Sequence, residues 1–333
     1  MKLVNTKIFF LLISILLPED TFSIVAVDPQ TNEVGSAGAS CIAGSIIISD
    51  IHPGVGVIHT QSYWSVSNQN YASSLMDLNY SPDEIIEELI NNDVSNNPSI
   101  RQYGIVDLVD EGRSAAYTGD NCSDYKGHIL GDTYAIQGNI LLGSEILENM
   151  EYQFINTEGT LAEKLMASLQ GANIPGADVR CLDDDLSSLS AFIRLAEPDD
   201  NAIYHLDLNV NNVNLVPYHV DPIDSLQTLF DEWFLSNLDY MLGDINQDEN
   251  VDILDIVSLV NIILGELHPN LVEELSADIN EDNIINIQDI IILISSILGS
   301  IELSQHQSVS GDMNFDGIID VLDIVAVLNI ILS

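Results

Sequence analysis

Three short acidic runs towards the C-terminus share one pattern, in which aspartate, asparagine and aspartate occupy alternate positions. They begin at Asp244, Asp278 and Asp312, so each run starts 34 residues after the one before. Each opens a twelve-residue segment with side-chain oxygens at positions 1, 3, 5, 9 and 12, which is the ligand spacing of a calcium loop. Hard cations prefer oxygen ligands of this kind. The sequence therefore predicts three Ca²⁺ sites.

The predicted ligands are side chains of aspartate and asparagine only. They are Asp244, Asn246, Asp248, Asp252 and Asp255 in the first loop, Asp278, Asn280, Asp282, Asn286 and Asp289 in the second, and Asp312, Asn314, Asp316, Asp320 and Asp323 in the third. A calcium loop turns sharply at position 6, where glycine fits best. The third loop has Gly317 there, whereas the others have Glu249 and Asn283, so we expect the third loop to be the best formed.

Each loop runs into a short apolar helix, such as 256–264, and we expect no helix before it. This loop-then-helix unit, with aspartate at position 12, resembles a type I dockerin repeat. The resemblance implies docking onto a cohesin-like receptor through the helices, although dockerins generally carry two repeats and this chain has three. The alternative is that calcium only neutralises the clustered carboxylates and folds the tail.

A second candidate for chemistry is Thr21, which follows a short N-terminal hydrophobic segment and opens a predicted strand. A free N-terminal threonine carries a nucleophile and a base on one residue, because its α-amine titrates near neutral pH and can accept the hydroxyl proton. The alternative is that Thr21 is an ordinary β-forming residue at the start of a strand.

Residues 1–20 have the pattern of an export signal, with Lys2 and Lys7 before an apolar run at 8–17 that is too short for a comfortable membrane span. Pro18 and Asp20 do not form a small-x-small pattern before Thr21. Cleavage therefore falls elsewhere or needs a second trimming step. We expect a secreted or cell-surface protein.

Three further residues are candidates for the same site. Asn139 follows a predicted strand and can offer an amide donor to an oxyanion, or it is a turn asparagine that stabilises its own backbone. His59 lies on another strand and either orients a substrate or relays a proton, or it is a hydrogen-bonded core histidine. Arg180 either pairs with Asp178 or binds a carboxylate of the substrate.

The three cysteines, Cys41, Cys122 and Cys181, suit an oxidising compartment and allow one disulfide with one thiol left over. The sequence does not choose among the three pairings. Cys41 ends the second predicted strand, so it is either a catalytic thiol, a buried apolar residue or half of the disulfide.

The charge balance excludes several partners. The chain has 333 residues, 8 Lys and Arg, 52 Asp and Glu, and a formal net charge of −44. Such a chain is repelled by nucleic acid and by anionic lipid. After the signal segment, no stretch is long and apolar enough to cross a membrane. The last basic residue other than histidine is Arg194, so the acidic tail predicts a bound cation.

Seven motifs between residues 21 and 180 occur in a fixed order. They are TFSIVAVD, GSAGASC, GVGVIHTQ, YGIVD, AAYTGDNC, GHILGDTYAIQGNILLG and GADVR. Together they resemble the domain of unknown function numbered 1028, over about residues 21–233. The resemblance implies an Ntn-hydrolase-like, four-layer αββα sandwich with Thr21 as nucleophile, and it implies no substrate. After Arg180 the chain has Cys181 and Leu182, where the family commonly has glycine and glutamine.

The expected fold is therefore α+β, a four-layer sandwich followed by a small all-α calcium-loop domain. Within the sandwich the sequence predicts a hairpin of two strands at 21–27 and 34–41, a second hairpin around Asp110, Glu111 and Gly112, a helix that Ser81 caps, and a last helix from 223 to about 241. We expect a signal peptide at 1–20, the hydrolase-like domain at 21–240 and the three repeats at 241–333. The leading hypothesis for function is an exported hydrolase of amide or peptide bonds with a docking tail. The alternative is a non-catalytic binding or scaffold protein of an extracellular, possibly polysaccharide-degrading, assembly. Residues 21–233 show no glycosidase-like carboxylate pair.

Overall fold

The computed structural model describes residues 21–201, 203–211, 220–238 and 240–299. The predicted export signal and the predicted third calcium loop, Asp312 to Asp323, lie outside these residues. The chain divides into two compact units, one ending at Trp233 and the other beginning at Phe234. Within the described ranges, no helix is both long and apolar enough to cross a membrane.

The first unit contains strands and helices in a mixed order. Its strands are β1 (Phe22–Asp28), β2 (Glu33–Ser40), β3 (Ser49–His52), β4 (Gly56–Gln61), β5 (Gln102–Asp107), β6 (Arg113–Thr118), β7 (Gly127–Gly131), β8 (Tyr134–Gly138), β9 (Ser190–Ala196) and β10 (Leu206–Asn211). Its helices are α1 (Val66–Asp77), α2 (Pro82–Asn91), α3 (Glu145–Asn156), α4 (Leu161–Gly171) and α5 (Pro222–Asn237), the last of which ends in the second unit.

Six of these strands form one antiparallel sheet in the order β10-β9-β2-β1-β8-β7. The predicted hairpin of β1 and β2 is confirmed, with Phe22 opposite Ala39 on one side and Gly138 on the other. Strand β1 is buried from Phe22 to Val27 because it lies inside the sheet and is apolar or small throughout. The start of β1 therefore lies between the ends of β2 and β8.

The remaining four strands form a second antiparallel sheet, in the order β3-β4-β5-β6. The predicted hairpin of β5 and β6 is confirmed, and Asp110, Glu111 and Gly112 at its turn have positive φ of 53°, 65° and 110°. Aspartate and glycine adopt this left-handed conformation more easily than most residues do, which is why the chain reverses there.

The helices pack on the two sheets. Helix α4 contacts β1, β2 and β9 of the six-stranded sheet, and α3 contacts β7, β8 and α4. On the four-stranded sheet, α1 contacts β4, and α2 contacts β5 and β6. The sheets themselves meet where β1 contacts β4 and β5. Ser81 caps α2 with Glu84, as predicted, and Thr160 caps α4 with Glu163 in the same way.

The second unit contains three described helices, α6 (Ile253–Ile263), α7 (Leu271–Ala277) and α8 (Ile287–Ile297), of which α6 and α8 each follow a predicted calcium loop. Its core includes Ile245, Leu259, Ile279 and Leu293. Two expectations are wrong here. Helix α7 directly precedes the second loop, because Asn270 caps it with Glu273. Helix α5 ends at Asn237 rather than near residue 241.

Candidate functional site

Thr21 lies at the start of the central strand, with a neighbour on either side. The register of β1 continues to Ser40 at the end of β2 and to Asn139 after β8. The Asn139 amide donates to the Thr21 carbonyl oxygen at 3.2 Å. Side chains that are directly opposite in an antiparallel pair share one face of the sheet. Thr21, Ser40 and Asn139 therefore form a row on the face that looks towards the other sheet.

Thr21 is 1% exposed, and its nitrogen is bonded to Asp20. A peptide nitrogen has no basic lone pair, so it cannot accept the hydroxyl proton. The arrangement around Thr21 can support amine-assisted nucleophilic chemistry only after the bond between Asp20 and Thr21 has been cut.

Two glutamines from the four-stranded sheet reach this row. Gln61 Nε2 donates to the Thr21 carbonyl oxygen at 3.0 Å and to Gln102 Oε1 at 2.8 Å. Gln102 Nε2 donates to the carbonyl oxygens of Gly127 at 3.0 Å and Gly138 at 2.9 Å. Both glutamine side chains are buried. They join β4 and β5 to β1, β7 and β8 at the level of Thr21.

His59 lies one row deeper between the sheets. Its Nδ1 is 3.0 Å from Ser23 Oγ, and Ser23 Oγ donates to Gln61 Oε1 at 2.7 Å. Burial, with a smaller contribution from the charge of Arg194, lowers the pKa of His59 to about 3. His59 is therefore neutral near pH 7. Hydrogen bonds through Ser23 and Gln61 connect it to the Thr21 carbonyl oxygen.

The Asn139 side chain is fully buried and already has a partner for one end. Its Nδ2 donates to Gln102 Oε1 at 3.0 Å, whereas its Oδ1 has no hydrogen-bond partner in the described structure. The structure brings Asn139 beside Thr21. The second hydrogen of Asn139 Nδ2 remains available for an oxyanion, and Asn139 Oδ1 remains available to accept a hydrogen bond.

Arg180 forms an ion pair within its own loop. Its Nε and Nη2 donate to the Asp178 carboxylate at 2.9 and 2.6 Å, and Nη2 also donates to Ser40 Oγ at 3.3 Å. Asp178 is buried and accepts the Cys41 amide at 2.9 Å. The guanidinium is therefore held next to the row that contains Thr21, with its charge balanced by Asp178.

A disulfide joins Cys41 to Cys181 beside this ion pair. The suggestion that Cys41 is a catalytic thiol is wrong, because its sulfur is bonded to another sulfur. Cys122 keeps its thiol, which is buried and donates to the Arg101 carbonyl oxygen at 3.3 Å. Two cysteines 140 positions apart in the chain therefore fix the loop of Arg180 to the end of β2.

The backbone is strained next to the row that contains Thr21. Ser62 and Tyr63, which follow Gln61, have φ of 54° and 56°, and Ile140, which follows Asn139, has φ of 55°. This region is costly for β-branched and bulky residues, and such residues cluster at functional sites. The strain therefore supports a functional role for the ends of β4 and β8.

Four residues of this site were not predicted from the sequence, namely Ser23, Gln61, Gln102 and Gln137. Gln137 Nε2 donates to Ser23 Oγ at 2.7 Å, so all four belong to one buried hydrogen-bonded network. A signal was present, because each is a polar residue inside a predicted buried strand. Buried polar groups need partners, so several such positions indicate a network between the sheets.

In the two described loops, the predicted calcium ligands at positions 9 and 12 also cap the helix that follows. Position 9 of each loop, Asp252 or Asn286, is the N-cap of the following helix, and position 12, Asp255 or Asp289, completes a capping box. The spacing of calcium ligands and the spacing of a capping box therefore coincide. Position 12 is fully buried in both loops.

The loops turn sharply without glycine. Glu249 and Asn283 at position 6 have φ of 67° and 63°. The position 1 carboxylates of Asp244 and Asp278 accept backbone amides of their own loops at 2.8 to 3.1 Å. Both loops thus take the expected course, although the residue at position 6 is not the favoured one.

The side-chain oxygens of the two described loops are of the kind that binds Ca²⁺. Among the described residues, no three His, Cys, Asp or Glu side chains form a ready metal cluster, because the acidic groups accept backbone amides instead. Each loop nevertheless offers carboxylate and amide oxygens, which are hard ligands. Burial raises the pKa of Asp289, and nearby Asp278 adds to this increase. A buried carboxylate of this kind needs a positive partner.

Models of two different protein families match the two units of the chain separately. The Dockerin type I domain model matches residues 242–298 and 276–332. A crystal structure of protein SPO2555 from Silicibacter pomeroyi, a DUF1028 protein, is similar with 23% identity and a TM-score of 0.52, covering 65% of this chain and 89% of that one.

Anbu (ancestral beta-subunit) from Yersinia bercovieri aligns with 13% identity over 66% of this chain and 99% of that one, and its TM-score of 0.32 is too low to bear on the fold. No curated protein matches the chain. The model of the family of unknown function, DUF1028, matches residues 21–224. The chain therefore belongs to the DUF1028 family.

Proposed function

We propose that this protein is an exported hydrolase of amide or peptide bonds, with Thr21 as its nucleophile and a calcium-binding tail that docks onto a receptor. The observation that carries the proposal is the position of Thr21, at the start of the central strand β1 and between Ser40 and Asn139. The strained residues Tyr63 and Ile140 on two neighbouring strand ends add to it.

The reaction follows from the two groups of Thr21. After removal of residues 1–20, the Thr21 hydroxyl oxygen bonds to the substrate carbonyl carbon, and the α-amine accepts the hydroxyl proton. That proton passes to the departing nitrogen as the carbon–nitrogen bond breaks, which leaves an ester on Thr21. Water then hydrolyses the ester. The remaining Asn139 amide hydrogen would stabilise the oxyanion, and Arg180 would attract a carboxylate of the substrate.

The arrangement of layers supports the proposal. Helices α3 and α4 lie against the six-stranded sheet, and α1 and α2 against the four-stranded sheet, while β1 contacts β4 and β5 between them. We infer a four-layer αββα sandwich at residues 21–240, followed by the repeats at 241–333.

The first test is N-terminal sequencing and intact-mass measurement of the secreted protein. A mature chain that begins at Thr21 is expected. Thr21→Ala should then abolish turnover of amide substrates that the wild type cleaves, whereas Thr21→Ser keeps a hydroxyl and should retain part of it. Unchanged turnover in Thr21→Ala would exclude this nucleophile.

A second candidate function is a non-catalytic binding or scaffold protein in an extracellular assembly that degrades polysaccharide. It is favoured by the burial of Thr21, which is 1% exposed. The absence of a small-x-small pattern before Thr21 in the sequence also favours it. A secreted chain that retains Glu19 and Asp20 would support this function.

For the tail, we propose that Ca²⁺ occupies all three loops and that the following helices contact a cohesin-like receptor. The match to the dockerin model supports this proposal. Exposed apolar residues at the start of α6, Ile253, Leu254 and Val257, offer a contact surface in the second unit. Calcium-dependent capture of the chain by an immobilised cohesin would test it, and binding that EDTA does not reduce would contradict it.

A further inference from the structure

In the hydrogen-bonded network between the sheets, the orientation of the Gln102 amide determines which groups donate and which accept. Gln102 Nε2 lies 3.0 and 2.9 Å from the carbonyl oxygens of Gly127 and Gly138. Carbonyl oxygens only accept hydrogen bonds, so the amide nitrogen of Gln102 must face them. Its Oε1 must therefore face Gln61 and Asn139.

This direction fixes the orientation of Asn139. Gln102 Oε1 accepts from Gln61 Nε2 at 2.8 Å and from Asn139 Nδ2 at 3.0 Å. A flipped Asn139 carboxamide would place oxygen against oxygen. Asn139 therefore keeps its nitrogen towards Gln102, and Oδ1 is the atom left without a partner.

The same assignment of donors and acceptors extends through Gln61 and Ser23 to His59. Gln61 uses Nε2 for its two donations, so its Oε1 accepts the Ser23 hydroxyl proton at 2.7 Å. Ser23 Oγ then accepts from Gln137 Nε2 and from His59 Nδ1. Ser23 Oγ is the nearer neighbour of His59 Nδ1, at 3.0 Å against 3.3 Å for Gln137 Nε2, so we infer that His59 carries its proton on Nδ1 and that its Nε2 is an acceptor.

Three buried atoms of this network have no partner in the described structure, namely Asn139 Oδ1, His59 Nε2 and Gln137 Oε1. All three are acceptors by the argument above. A buried acceptor without a donor is costly, so the network favours the arrival of a donor. Of the three residues, Asn139 alone is paired with Thr21 across the strands.

We propose that Asn139 Oδ1 accepts a hydrogen bond from the α-amino group of Thr21 once that group is free, and that Gln102 is the positioning residue that orients Asn139 for this role. Cutting the bond before Thr21 adds hydrogens to its nitrogen, on the strand directly beside Asn139, whose Oδ1 lacks a donor. Asn139 then holds the amine that acts as the base. This inference rests on the proposed function, because it assigns roles around the same nucleophile.

The test measures the pKa of the Thr21 amine, which needs no substrate. A chain of residues 21–333 is made so that its initiator methionine is removed, with ¹⁵N-labelled threonine, and the amine is titrated by NMR. Asn139→Ala should lower the pKa of the amine by about one pH unit, because the charged form loses its acceptor. Asn139→Asp should raise it, because a carboxylate favours the ammonium.

Two further variants separate positioning from general damage. Gln102→Met frees Asn139 to rotate and should lower the pKa of the amine in the same direction as Asn139→Ala, by a smaller amount. The matched control is Gln137→Met, which removes another unpartnered acceptor from β8 but leaves Asn139 and Gln102 intact. This control should leave the pKa of the amine unchanged.

Among the described residues, the charged and titratable groups on this side of the six-stranded sheet include the Arg180–Asp178 pair, His59 from β4, and Arg194 of β9 with its partner Asp207 of β10. No variant alters them. An amine pKa that is the same in wild type and Asn139→Ala would overturn the inference. So would an equal decrease in Gln137→Met. Failure of the proposed function shows differently, as a secreted chain that does not begin at Thr21 or as no loss of turnover in Thr21→Ala.

Discussion

At the scale of single residues, Ile140 holds a conformation that its side chain opposes, with φ of 55° directly after Asn139. A Cβ atom makes this region costly by about 1 to 2 kcal/mol, and glycine avoids that cost. We predict that Ile140→Gly will have a higher free energy of unfolding than Ile140→Ala by about 1 kcal/mol. Urea denaturation of both variants measures the difference.

A matched position gives the control for this comparison. Ser114 on β6 lies in a regular strand, where alanine is normally more stable than glycine. Ser114→Ala should therefore be more stable than Ser114→Gly, which is the opposite order. If alanine is also preferred at position 140, the backbone there does not take the left-handed conformation.

His59 makes stability depend on pH. Its folded pKa of about 3 lies below the ordinary histidine value of 6.5, so between these values the unfolded chain binds a proton that the folded chain does not. Stability should fall as pH falls through this window, by up to about 1.4 kcal/mol per pH unit from this group. His59→Gln removes the titration and should show a shallower decrease between pH 6 and pH 4.

Chemical denaturation at several pH values checks the difference in slope. Asp and Glu residues titrate in both proteins, so the comparison between them isolates His59. As a control, His128→Gln changes an exposed histidine on β7, whose pKa is lowered by partial burial. Equal slopes for wild type and His59→Gln would mean that His59 is not buried in its neutral form.

At the scale of elements, the disulfide between Cys41 and Cys181 holds the loop of Arg180 against the end of β2. A crosslink between residues 140 positions apart restricts the unfolded chain strongly. The double variant Cys41→Ala/Cys181→Ala should lose roughly 2 to 5 kcal/mol of stability. Denaturation with and without reductant measures this loss in the wild type.

Alkylation of the denatured chain tests the pairing directly. One labelled cysteine, Cys122, is expected before reduction and three afterwards, which peptide mass mapping can locate. Cys122→Ala is the control, because it should leave the disulfide intact. Label on Cys41 before reduction would contradict the structure.

At the scale of the whole molecule, the two units should respond differently to calcium. Removal of Ca²⁺ with EDTA should lower the melting temperature and helicity of the second unit, because ligand binding stabilises the folded state by about 2.7 kcal/mol at 100 times Kd. The first unit should melt unchanged. Differential scanning calorimetry separates the two transitions, and native mass spectrometry should count three bound ions.

A pair of variants in the first loop sharpens this prediction. Asp248→Ala removes the ligand at position 5 and should weaken calcium binding at that site roughly tenfold. Asn250→Ala is the matched control, because position 7 supplies a backbone carbonyl that the substitution keeps. Equal loss of affinity in both variants, or none in either, would show that the loop does not bind calcium in this way.

The sequence by itself determined those features of this chain that depend on local patterns of residues. Regular spacing predicts the calcium loops, since each loop lies within twelve consecutive residues and its predicted ligands follow from local geometry alone. Alternating and capped segments likewise identified the hairpin of β1 and β2 and the start of α2. Local patterns of this kind need no knowledge of distant contacts.

Only the tertiary structure decided what surrounds Thr21. Ser40 and Asn139 lie beside Thr21 because β2 and β8 pair with β1, and Gln61 and Gln102 reach it because the two sheets face each other. The choice of Cys41 and Cys181 as the disulfide also depends on this meeting. Contacts between strands that are far apart in sequence depend on register and packing. No local pattern encodes them, which is why the glutamine network was missed.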